Sequence, residues 1–229
     1  MSLREPRALA ATVVAGALLT LAGKLLGWPA LVWIFKPATT IVIAAAAYAR
    51  GAGVGGSGPR AAYARAVLIG LLFSLAGDVL LIPEGLFVYG LVAFLLAHVA
   101  YLYAFTRDAR LAARWLPFAI VAAVALAMLA VLWPGLPAAL KLPVVCYVVM
   151  LGGMTAQSAA RAAVLGGRAA RLAAVGGALF MASDALLAFD RFHSPVPLAS
   201  VWILGTYWGA QLLIALSVES GAPDARRGY

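Results

Sequence analysis

Two aspartates, Asp78 and Asp184, lie inside long apolar stretches of this chain. An ionised carboxylate at membrane depth costs several kcal/mol unless it is paired, solvated or protonated, so each residue marks either a functional group or a specific structural bond. At helical spacing Gly70, Ser74, Gly77 and Asp78 share one face, as do Gly176, Phe180, Ser183 and Asp184. Small residues beside a carboxylate indicate a face turned toward protein, because they let helices approach closely. Other candidates fall at similar spacing. His98 has Phe94 at i−4 and Tyr101 at i+3, Tyr207 and Gln211 form an i, i+4 pair, and Tyr147, Met154 and Thr155 lie along one face. Lys36 precedes Pro37, whose ring removes a helix hydrogen bond and leaves the Trp33 carbonyl available to a polar cavity. Such a set offers carboxylate, imidazole, phenol and amine, the groups of proton transfer and charge stabilisation.

Metal and cofactor chemistry finds no support. There are two histidines, no HExxH or three-His set, and no P-loop, GxSxG elbow or dinucleotide fingerprint. A single cysteine, Cys146, excludes an intramolecular disulfide and every CxxC reading. Each candidate also has a structural alternative: an Asp–Lys pair, a hydrogen-bonded core histidine, or packing of aromatic and Met stripes. Lys24 and Lys141 fit lysines that snorkel to an interface. Glu84, Asp190, Arg191 and His193 are expected in solvated connections.

The elements that hold these residues follow from hydropathy. With 229 residues, 65% hydrophobic and 11% charged, the chain is far more apolar than a soluble domain of this size can hide. A span needs about 20 mostly apolar residues, and cutting at charges, Pro and Gly predicts eight transmembrane helices near residues 8–27, 30–49, 61–82, 86–106, 113–133, 139–160, 171–190 and 196–218. The fold class is therefore all-α and polytopic, with residues 1–229 read as one integral membrane domain. The run after Arg4 and Arg7 imitates a signal peptide but continues past Lys24 to Leu26, as an uncleaved first helix would.

A net charge of +9 suggests nucleic acid in a soluble protein, but here the basic residues sit in short gaps between apolar stretches. Thirteen of the seventeen lysines and arginines (Arg4, Arg7, Arg50, Arg60, Arg65, Arg107, Arg110, Arg114, Arg161, Arg168, Arg171, Arg226 and Arg227) fall on one side, against Lys24, Lys36, Lys141 and Arg191 toward the other. The positive-inside rule puts the thirteen, and both termini, in the cytoplasm. The membrane would be the inner one in a bacterium. Aligning Ala76-Gly77-Asp78-Val79-Leu80-Leu81 with Ala182-Ser183-Asp184-Ala185-Leu186-Leu187 suggests a parallel repeat of four helices plus four, or coincidence in an Ala/Leu-rich alphabet.

The segments LLFSLAGDVLL (71–81), AFLLAHVAYLYAF (93–105), GGALFMASDALLAFDRF (176–192) and TYWGAQLLIALS (206–217) together resemble the YhhN family, whose characterised members are lysoplasmalogenases. The resemblance covers most of the chain from the second helix onward, and the Lys36-Pro37 pair and the stretch from Tyr147 to Met154 look similar too. It implies hydrolysis of the vinyl ether bond of a lysoplasmalogen to a fatty aldehyde and glycerophosphoethanolamine or glycerophosphocholine, without cofactor or metal. That reaction begins with protonation of the β-carbon by a carboxylic acid. A carboxylate beside the resulting oxocarbenium ion and a directed water complete it, much as paired carboxylates act on glycosides. On this reading Asp78 and Asp184 are the acid and base in unassigned order. His98, Tyr207, Gln211, Tyr101 and Tyr147 orient water or headgroup, and Lys36 meets the phosphate. The partners are then the lysophospholipid substrate and membrane lipid, with no nucleic acid and no obligate protein partner. Two other classes remain open, a proton-coupled small-molecule or lipid transporter and a non-catalytic lipid-binding protein.

Overall fold

A computed structural model describes residues 5–52 and 56–219, so Arg4, Arg226, Arg227 and positions 53–55 of the Gly-rich connection lie outside the described residues. The described chain is helical, and eight helices are long and apolar enough to cross a membrane. They are α1 Pro6–Leu25, α2 Pro29–Ala47, α3 Pro59–Leu80, α4 Phe87–Phe105, α5 Leu116–Leu132, α6 Ala138–Leu165, α7 Gly167–Phe192 and α8 Ala199–Leu216. At about 1.5 Å per residue even α5, with 17 residues, covers most of a hydrocarbon core of about 30 Å.

The helix ends follow from local chemistry. Proline opens α1, α2, α3 and α5, where its missing N–H would have had no partner anyway. The stop of α1 uses Gly27 at φ +66°, which lets the Trp28 N–H reach back to the Gly23 carbonyl at 2.8 Å. In the sixth connection, RAAVLGGRAAR, the structure departs from the expected loop. Ala, Leu and Arg are strong helix formers, so α6 and α7 run through it and break only at Gly166 and Gly167, both at positive φ.

Six helices close a ring. α3 packs on α4, α4 on α6, α6 on α7, α7 on α8, and α8 returns to α2, which packs on α3. α1 lies outside against α2 and α8, and α5 lies outside against α6 with a smaller contact to α7. Only Leu132 of α5 is buried, so most of that helix faces the surroundings. Glycines permit the close contact of α3 with α4: Phe94 occupies the space where a Cβ on Gly77 would stand, and Tyr101 that of Gly70. Gly70, Ser74, Gly77 and Asp78 are all buried, as the spacing predicted.

At the end of the bundle where the basic connections gather, Arg161 of α6 reaches Asp108 in the fourth connection with two hydrogen bonds, Nε to Oδ1 at 2.7 Å and Nη2 to Oδ2 at 2.6 Å. Gln157, one turn earlier, donates to the Phe105 and Arg110 carbonyls and accepts from the Ala112 N–H. Arg161 thus ties a connection to the bundle rather than standing free in a loop, because continuing α6 turns its side chain inward.

Candidate functional site

Asp78 and Asp184 line one cavity of about 550 Å³. Lys36, Tyr147 and Tyr207 line it as well, so five of the eight candidate residues meet there. The other three stand behind this wall, fully buried: His98, Tyr101 and Gln211.

Asp78 is enclosed by donors. Its Oδ2 accepts from Thr40 Oγ1 at 2.5 Å and from Tyr207 Oη at 2.7 Å, while Lys36 Nζ stands 3.5 Å from Oδ1. Lys36 also donates to the backbone carbonyl of Asp78 at 2.9 Å. That carbonyl is free because α3 ends two residues later: the Ile82 N–H turns to Val79 instead, and a lysine satisfies the orphan. The hydroxyl of Thr40 is aimed by Trp208, whose Nε1 donates to Thr40 Oγ1 at 3.3 Å. With two hydroxyls and an ammonium around it and, among the described residues, no acceptor, this carboxyl group is arranged to accept hydrogen bonds.

Asp184 has a sparser setting. One hydroxyl, that of Tyr147, donates to Oδ2 at 2.5 Å. The side chain is 13% exposed against 1% for Asp78, so it presents more of itself to the cavity. His98 Nε2 lies 3.9 Å from Asp184 Oδ2, beyond hydrogen-bond range, with its ring held edge-on between Tyr147 and Phe180 at centroid distances of 5.0 and 4.7 Å. Among the described residues neither ring nitrogen has a hydrogen-bond partner. Tyr101 donates to Gln211 Oε1 at 2.6 Å in a second layer behind Tyr207.

Lys36 therefore answers Asp78 instead of standing free in the cavity. Thr40 and Trp208 escaped the sequence reading. The signal available for Thr40 was its i+4 relation to Lys36 on an otherwise apolar helix. Asp190 and Arg191, expected in a solvated connection, belong to the last turn of α7 and line the same cavity, because α7 runs on to Phe192. Lys24 lines it too, whereas Lys141 stacks on the Trp133 ring at 4.6 Å and stays out of it.

Away from the charges the wall is apolar. Ile120, Val121, Val124, Ala125, Met128 and Leu129 form one face of α5, opposite Val144, Val148 and Leu151 of α6. Ile120 and Val124 are also about half exposed on the outside of the bundle, at 55% and 53%, so this arm reaches the lateral surface. The lining thus combines charged residues of α1, α2, α3 and α7 with an apolar stretch of α5 and α6.

A family model described as YhhN family matches residues 31–218. Lysoplasmalogenase TMEM86A from Homo sapiens is 38% identical over 168 residues, which cover 69% of this chain and 67% of that protein. A lysoplasmalogenase from Mycobacterium tuberculosis is 36% identical over 200 residues, covering 83% and 72%. Lysoplasmalogenase TMEM86B from Homo sapiens is 34% identical over 168 residues, covering 69% and 66%. No solved structure matches.

Proposed function

The chain belongs to the YhhN family, and from that membership and its cavity we propose that it is a membrane hydrolase that cleaves the vinyl ether bond of lysoplasmalogens. The observation that carries the reading is the meeting of two unlike aspartates in one cavity with an apolar arm. The fatty chain lies along α5, and the vinyl ether stands between Asp78 and Asp184.

The unequal surroundings divide the labour. Asp184, with one donor and an open oxygen, is the acid: its proton goes to the β-carbon, and the ether oxygen's lone pair forms the oxocarbenium ion. Asp78, ringed by donors, is the carboxylate that faces this cation and takes a proton from water as its oxygen bonds to the α-carbon. The hemiacetal then collapses. The glycerol oxygen leaves with the proton held by Asp78, and the hemiacetal hydroxyl returns its proton to Asp184 as the aldehyde forms. One water is consumed and both aspartates end as they began.

Tyr207 and Tyr147 hold the two carboxyl groups in place, Lys36 balances the charge of Asp78, and Tyr101 with Gln211 backs Tyr207. His98 acts as a positioning residue behind Asp184 and not on water in the cavity, from which it is walled off. A parallel four-plus-four plan accounts for the likeness of the two sites. The contacts of α1 on α2, α2 on α3, α3 on α4 and α4 on α6 recur as α5 on α6, α6 on α7, α7 on α8 and α8 on α2. Each aspartate then accepts from the helix before it, Thr40 on α2 or Tyr147 on α6. Lys36 breaks the equivalence. The arginine bias points the Lys24 end of the cavity away from the cytoplasm, with the plasma membrane as the site in a bacterium.

The test is purified protein incubated with a lysoplasmalogen, with free aldehyde as the readout and the saturated alkyl ether as control. Aldehyde from the vinyl ether alone is expected. A protein that releases none, or that accumulates intact lipid in proteoliposomes, is a transporter or a binding protein and the proposal fails.

A further inference from the structure

The mouth of the cavity carries charge that hydrolysis of the ether does not use. Lys24 ends α1, Asp190 and Arg191 end α7, and Ser200 begins α8, and all four line the same cavity as the aspartates. Lys24 uses one of its three N–H donors, on Ser200 Oγ at 3.2 Å, and among the described residues no carboxylate lies within 4.0 Å of it. Arg191 sets its guanidinium over the Phe87 ring, with its Cζ 3.9 Å from the centroid, an aromatic seat that orders the charge without neutralising it. Asp190 Oδ1 accepts from the Val196 N–H at 2.8 Å, which leaves Oδ2 for another partner.

Distance separates these residues from Lys36. Seven residues of helix from Asp184 to Arg191 span about 10 Å. Six single bonds, the path from the reacting α-carbon to the phosphorus of a lysophospholipid, span about 7 Å extended, and the amine lies a few Å further. With the vinyl ether at Asp184 the phosphate therefore reaches the last turn of α7. Lys36, seven residues into α2 and bound to Asp78, sits at the depth of the ether instead.

We propose that Lys24 and Arg191 bind the phosphodiester of the substrate and that Asp190 accepts its ammonium group, so that the mouth is a subsite for a zwitterionic headgroup. The assignment rests on the hydrolase reading of this cavity for its choice of ligand. Its test, however, needs no turnover. The saturated alkyl-ether lysophosphoethanolamine and the matching alkylglycerol are titrated into the purified full chain in nanodiscs. Lys24→Gln and Arg191→Gln should each raise the Kd of the phospholipid about tenfold, as loss of a charge-assisted contact does, while the Kd of the alkylglycerol stays within about twofold. Lys24→Arg should restore phospholipid binding. Asp190→Asn, which keeps the acceptor for Val196, should raise Kd about threefold for the ethanolamine lipid and leave a phosphoglycerol analogue unaffected.

Equal losses for phospholipid and alkylglycerol, or no loss in Lys24→Gln, overturn the subsite. Displacement of the lipid by inorganic phosphate at equal concentration also overturns it, since the site would then take a free anion. A wild-type protein that binds the phospholipid as expected but releases no aldehyde from the vinyl ether sinks the hydrolase reading and leaves the subsite standing. Turnover with a Kd indifferent to Lys24 does the reverse.

Discussion

Replacing each aspartate by asparagine should separate the two carboxyl groups by stability as well as by rate. At Asp78 the amide oxygen can still accept from Thr40 and Tyr207, but the amide nitrogen then takes the place of Oδ1, 3.5 Å from the Lys36 ammonium. A donor faces a cation, and the pair is buried, with side-chain exposures of 10% for Lys36 and 1% for Asp78. Breaking one side of such a pair costs about 3 kcal/mol, which for a chain of this size lowers Tm by roughly 6–12 °C. At Asp184 the amide oxygen can keep the Tyr147 hydrogen bond and turn its nitrogen toward the cavity, so Tm should stay within about 2 °C of wild type. Its rate should nonetheless fall roughly 100- to 10,000-fold, the range for losing a general acid. Adding Lys36→Met to Asp78→Asn removes the stranded ammonium and should return most of the lost stability with aldehyde release still absent. Thermal unfolding in detergent followed by tryptophan fluorescence, with aldehyde release on the same samples, reads both quantities. Equal Tm shifts for the two variants would refute the division of roles, as would an Asp184→Asn enzyme retaining more than about a tenth of the native rate.

Other perturbations follow from the same geometry. Tyr147→Phe removes the one hydroxyl on Asp184 and should slow aldehyde release about tenfold with little change in Tm, the worth of one hydrogen bond; a rate within about twofold of native would mean that Tyr147 does not position Asp184. Val124→Trp narrows the apolar arm along α5, so KM should rise for long-chain substrates more than for short ones in a chain-length series. If all lengths suffer alike, the chain lies elsewhere. Arg161→Ala removes both hydrogen bonds to Asp108, far from the cavity, and should lower stability by about 1–3 kcal/mol, seen as a lower Tm with unchanged KM. Gly77→Ala places a methyl against the Phe94 ring and should cost about 1–3 kcal/mol, measured by the same unfolding assay.

Much of this protein was determined by sequence alone, because the relevant physics is local. A bilayer demands helices of about 20 apolar residues, and the chain contains eight such runs. It also penalises an isolated carboxylate, which is why Asp78 and Asp184 stand out before any contact is known. The faces shared by Gly70, Ser74, Gly77 and Asp78 follow from helical period.

Which residues meet is decided by how the helices pack. Asp78 draws its donors from α2 and α8, and Asp184 draws its donor from α6 and lies near His98 of α4, distances in sequence that no period encodes. Lys36 had no readable partner until packing turned it onto Asp78 at the end of α3. Asp190 and Arg191 looked like connection residues until α7 proved long enough to include them, with Arg191 still exposed, in the lining of the cavity. Tertiary structure decided these matters because burial and hydrogen bonding are properties of neighbours, and the ring of six helices chooses the neighbours.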